Sequence, residues 1–69
     1  METFNLSDKK YIELVKLLKV MHVCYTGGEA KMMVNDGMVY LNGLPEFRKR
    51  AKLRSGDLVE VMDFKIRIV

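Results

Sequence analysis

A chain of 69 residues is one small domain, because so few side chains cannot build two cores. Its composition, 49% hydrophobic and 30% charged with a single proline, excludes a disordered tail or a fibrous repeat. The net charge is a modest +3, and no apolar run approaches the roughly 20 residues of a bilayer span.

Thr3 to Leu6 alternates polar and apolar residues and reads as a short strand, after which Ser7 or Asp8 can cap a helix. Tyr11, Leu14, Val15, Leu18 and Met21 then recur at helical spacing, which predicts an amphipathic helix over about residues 9–21. Thr26 followed three residues later by Glu29 is the signature of a capping box at the start of a second helix. Ala30, Met33 and Val34 supply its apolar stripe, Lys31 points to water, and Asn35-Asp36-Gly37 marks the stop. From Met38 the period changes to two, with Val39 and Leu41 facing inward and Met38 and Tyr40 outward.

Asn42-Gly43 is a tight-turn pair, and Pro45 predicts a loop over residues 42–47. Ala51 and Leu53 alternate with Arg50, Lys52 and Arg54, predicting a strand with one charged face. Ser55-Gly56-Asp57 reads as a turn before a strand that turns Val59 and Val61 inward. A hairpin near Asp63-Phe64 leads to a last strand with Ile66 and Ile68 inside, and its connection is expected to be looser than two residues because Phe64 tolerates a positive φ poorly. An exposed edge on that last strand would offer a place for two chains to pair. The expected fold is α+β, two helices packed on a small antiparallel sheet of three to five short strands, all in one domain over residues 1–69.

The charge is unevenly spread. Lys9, Lys10, Lys16 and Lys19 balance Glu2, Asp8, Glu13 and Glu29, whereas Arg48, Lys49, Arg50, Lys52 and Arg54 fall within seven residues with no acid between Glu46 and Asp57. Charge runs are often plain solvated faces, and Lys or Arg on a strand also discourages edge pairing. Three of these five are arginines, whose planar fork suits phosphate oxygens, so the run is read as a polyanion-binding patch. Lys31 is the sixth candidate. Thr26, Gly27 and Gly28 open a helix and read first as a cap and second as an anion site, with the Glu29 carboxylate competing for the same amides. Tyr40 is a candidate for stacking on a base, and Asn42 a further candidate contact. Phe4, Tyr11, Phe47 and Phe64 read as core or rim packing.

Enzyme chemistry is not expected. His22 and Cys24 are each single, lie after an apolar helix and read as buried packing without a third orienting group. One Cys and one His cannot fill a tetrahedral metal shell, and TGGEAK lacks the Lys-Ser/Thr ending of a phosphate loop, so no metal or cofactor is expected. The opening METFNLSDKK has no signal-peptide apolar region, and a lone cysteine fits a reducing compartment, so the expected location is the cytoplasm.

Taken in series, LVKLLKV, TGGEAK, DGMVYLNG, RKRAKL and SGDLVEV resemble the RNA-binding S-four domain, the module named after the fourth small-subunit ribosomal protein. The short length, the N-terminal strand segment and the Gly-Gly helix start are most similar to the small free-standing bacterial proteins of the YbcJ type. The resemblance implies an αL-type RNA surface made of the second helix, the loop after it and the basic strand, where Lys31 and Arg48 to Lys52 fall. It departs from many members at Gly27, where an arginine commonly stands, so that contact is missing. The resulting expectation is a monomeric RNA-binding protein that holds structured RNA, ribosomal or transfer, mainly by its phosphates, with no membrane or small-molecule partner. A protein–protein adapter docking an acidic surface and a DNA-binding domain stay open as alternatives.

Overall fold

The computed structural model describes residues 1–69. In chain order the elements are β1 (Glu2–Phe4), β2 (Ile12–Glu13), α1 (Leu14–Val20), α2 (Gly27–Asn35), β3 (Val39–Leu41), β4 (Leu44–Pro45), β5 (Lys52–Leu53), β6 (Leu58–Val61) and β7 (Phe64–Ile68). Two sheets result: a five-stranded one in the order β1-β7-β6-β3-β4, and a two-stranded one of β2 with β5. Pairing is antiparallel throughout except that β1 runs parallel to β7, so the main sheet is mixed.

Alternation explains which sheet face is dry. Val39, Val59, Val61, Ile66 and Ile68 point to one face and are buried there with Leu14, Leu17, Leu18, Ala30 and Val34 of the two helices. The buried cluster contains fifteen residues and no polar or charged side chain, so nothing in it demands an internal partner. The opposite face of the sheet carries Tyr40, Glu60 and Lys65 in cross-strand register.

Helix α2 follows its sequence signals. Thr26 Oγ1 accepts the Glu29 amide at 3.1 Å while the Glu29 carboxylate accepts the Thr26 amide at 3.1 Å, completing the capping box. Gly37 takes φ +74° just past the end, and the Gly37 and Met38 amides return to the Val34 and Met33 carbonyls. A side chain at Gly37 would also press on the Phe47 ring at 3.3 Å.

Helix α1 starts later than its periodicity predicts, at Leu14 instead of near residue 9. Ile12 and Glu13 are drawn into an extended pair with Leu53 and Lys52. The cap is neither Ser7, which sits in a left-handed turn at φ +60°, nor Asp8. Instead the Leu14 and Val15 amides donate to the carbonyls of Ala51 and Lys49, at 2.9 and 3.2 Å. Distant backbone thus satisfies the donors that a helix start leaves open. The apolar face shifts accordingly, burying Leu14, Leu17 and Leu18 and leaving Tyr11 exposed.

The α1 end explains a second correction. His22 is exposed, not buried: it adopts φ +61° at the position that usually takes glycine, while the His22 and Val23 amides bond back to Lys19 and Leu18. Cys24 is buried as expected, and burial, with the Glu29 charge second, pushes its thiol pKa up despite the opposing pull of Lys19.

Three further expectations change. Residues 42–47 are not all loop, because Leu44–Pro45 pairs with β3 as an outer strand, where a residue lacking an amide proton is tolerated. The last hairpin is a tight two-residue turn at Met62–Asp63, one residue earlier than predicted: Phe64 pairs with Val61, and Met62 takes the positive φ of 52°. β7 is no free edge either, since β1 and β6 flank it; the edges are β1 and β4.

Candidate nucleic-acid interface

The basic run is not one strand but a turn followed by two strand residues. The Ala51 amide closes on the Arg48 carbonyl at 3.2 Å, which puts Lys49 and Arg50 at the tip. Ala51 and Leu53 are buried and pin the segment to the core, and its carbonyls are those that receive the start of α1. The five cations therefore project from a backbone fixed on both sides.

Two of them have carboxylate partners. Arg48 donates to Glu46 through Nε at 3.0 Å and a terminal nitrogen at 3.1 Å, and its backbone amide binds the same carboxylate at 2.9 Å. The Arg48 side chain holds the Glu46 carboxyl below the usual carboxylate range, and Glu46 in turn raises the guanidinium. Arg50 donates to Glu13 at 3.3 Å, a contact spanning 37 positions. Both arginine side chains nevertheless stay open to solvent, 77% and 81% exposed, so the pairs leave most of each cation facing outward. Lys49 makes no ion pair.

Lys31, on the exposed side of α2, meets this turn across a shallow cleft. Together with Lys49, Arg50, Glu13 and Val15 it lines a hollow of about 370 Å³. At the other end of the run, Lys52 lies 5.1 Å and Arg54 5.6 Å from the centre of the Tyr11 ring. Asp57 fixes the last turn by accepting the Arg54 amide at 2.8 Å.

The remaining candidates separate from this group. Asn42 is committed to structure, with Nδ2 donating to Asp57 at 3.0 Å and Oδ1 accepting the Leu58 amide at 2.8 Å. Tyr40 is exposed but stands on the sheet face away from the helices, opposite Glu60, and does not line the cleft. Thr26 is occupied by its capping box. Gly27 and Gly28 have room for a side chain, Gly27 with nothing within 4 Å, so packing does not explain either glycine. Sequence reading passed over Tyr11, taking it for a helix-face residue. Its place directly after Lys9-Lys10 was the available clue, an aromatic next to cations.

A small mixed sheet under two helices, with a basic turn locked to the first helix and facing the second, defines an αL-type domain. The S4 domain model matches residues 4–69, and the chain belongs to the S4 domain family, the S-four module of the sequence resemblance. Over all 69 residues it is 33% identical to the "Putative RNA-binding protein YbcJ" of Escherichia coli (strain K12), covering 99% of that protein. It is 37% identical over 57 residues to the "Probable ribosome maturation protein RlbA" of Bacillus subtilis (strain 168), covering 83% of this chain and 80% of that one. The solution structure of YbcJ from E. coli, described as revealing an αL motif involved in RNA binding, superposes with a TM-score of 0.77 at 33% identity, over 100% of this chain and 87% of that one. The expectation that the chain is not an enzyme agrees with this membership.

Proposed function

We propose that the protein is a cytoplasmic, monomeric RNA-binding module that holds structured RNA, ribosomal or transfer, through its phosphates. The observation that carries this reading is the convergence of Lys31, Lys49 and Arg50 on one cleft, continued by Arg48, Lys52 and Arg54 on a backbone anchored to α1. Arg48 and Arg50, although paired with Glu46 and Glu13, keep exposed guanidinium surface for phosphate oxygens, and Lys31 and Lys49 add unpaired point charges. The relatives' names and the αL description support RNA as the polyanion. Gly27 and Gly28 lie about one helical turn before Lys31 and leave space for a sugar–phosphate chain to approach.

The test is binding of a structured RNA at stated salt by fluorescence anisotropy. Arg48→Glu with Arg50→Glu is expected to abolish binding with an unchanged circular dichroism spectrum. Each reversal also sets an acid against Glu46 or Glu13, so Lys31→Ala with Lys49→Ala provides an independent arm in which no ion pair is broken. Retention of full affinity by both double variants would show that the RNA lies elsewhere. Preferred competition by duplex DNA would mark a DNA-binding domain, and protein partners that survive nuclease in a pull-down would mark an adapter.

A further inference from the structure

A second hollow, about 670 Å³, is lined by Tyr11, whose ring Lys52 and Arg54 of the basic run also approach. Its lining brings the apolar Phe4, Tyr11 and Val20 together with Lys9, Lys10 and Lys16. Tyr11 and Val20 are substantially exposed, an apolar surface that folding alone leaves uncovered. None of the three lysines makes an ion pair. The one carboxylate at the hollow, Glu13, is already engaged by Arg50. Resting on the RNA-binding reading, we propose that this hollow accepts an unpaired nucleotide, its base stacked on Tyr11 and its flanking phosphates on Lys9, Lys10 and Lys16.

Three observations fit that occupant. The size lies within the range of small-molecule sites, which suits one base and its sugar. Aromatic and cationic lining side by side match the two halves of a nucleotide, a flat ring and an anion. Tyr11 also joins the hollow to the basic run, because the Lys52 and Arg54 cations approach its ring at 5.1 and 5.6 Å. A strand leaving a duplex held by Arg48 to Arg54 would therefore meet Tyr11 next, and the domain would prefer a junction between paired and unpaired RNA.

Nuclear magnetic resonance titration of the full chain tests this with three probes: a short single-stranded oligouridylate, a blunt RNA duplex and a polyglutamate peptide. The oligouridylate is expected to shift Phe4, Tyr11 and Val20. Tyr11→Leu should weaken it about tenfold, within the worth of one base–aromatic stack, while Tyr11→Phe retains affinity. Lys9→Ala with Lys16→Ala should reduce its salt slope by about 1.4 and leave the duplex slope unchanged. Shifts confined to Lys31, Lys49 and Arg50 would overturn the hollow and leave RNA binding standing. Equal shifts at the hollow from polyglutamate would overturn the nucleotide as its ligand. Absence of shifts with either RNA would overturn both readings.

Discussion

Asn42 shows how one residue can look like a ligand contact and be a structural tie. At φ +51° it occupies the left-handed region that asparagine tolerates, followed by Gly43 at φ +87°, which together suit the turn between β3 and β4. Its side-chain amide then links that turn to Asp57 and Leu58, fifteen and sixteen positions away. Asn42→Ala removes two hydrogen bonds at about 1 kcal/mol each and adds about 1 kcal/mol of left-handed strain. Chemical denaturation should therefore show a loss of about 2–3 kcal/mol with RNA affinity of the folded protein unchanged. The Asn-Gly signal was legible in the sequence; the two side-chain bonds were not, because their partners are remote.

Among the elements, local chemistry decided what could be read beforehand. Helix α2 was legible because Thr26, Glu29 and Gly37 solve its ends within its own neighbourhood. Helix α1 was legible only as a periodicity, since its start is capped by carbonyls from Lys49 and Ala51. The same remoteness hid Ile12–Glu13 as a strand and brought Leu17 into the core unannounced. Leu17 is fully buried between the helices and the sheet, so Leu17→Ala should lower stability by about 2–5 kcal/mol in urea denaturation. The candidate site was legible as composition, in the run from Arg48 to Arg54. Its joining to Lys31 and its partners Glu13 and Glu46 needed the fold.

For the whole molecule, the carboxylates change the electrostatic expectation. Five free cations meeting phosphates would give a slope of log affinity against log salt of about −3.5 for a single strand and −4.5 for a duplex. With Glu46 and Glu13 still seated, the run contributes only three net charges and its share of the slope falls to about −2 to −3, with Lys31 adding about −0.7 to −0.9 in either case. Measuring affinity for a duplex between about 50 and 200 mM salt separates these cases; with Lys31 counted, a slope near about −5.4 instead of about −3.6 would mean that RNA displaces both carboxylates. The outer strands also bear on assembly, because β1 is short and β4 ends in Pro45, which offers a neighbouring chain little backbone to pair with.

The lock between the basic turn and the first helix has a thermodynamic meaning. Immobilising a backbone residue costs about 1–2 kcal/mol of conformational entropy. A loose tail of the sequence Arg48 to Ala51 would lose that for each residue on meeting its ligand. Here the loss is met during folding, through the bonds to Leu14 and Val15, so encounter with a polyanion orders side chains alone.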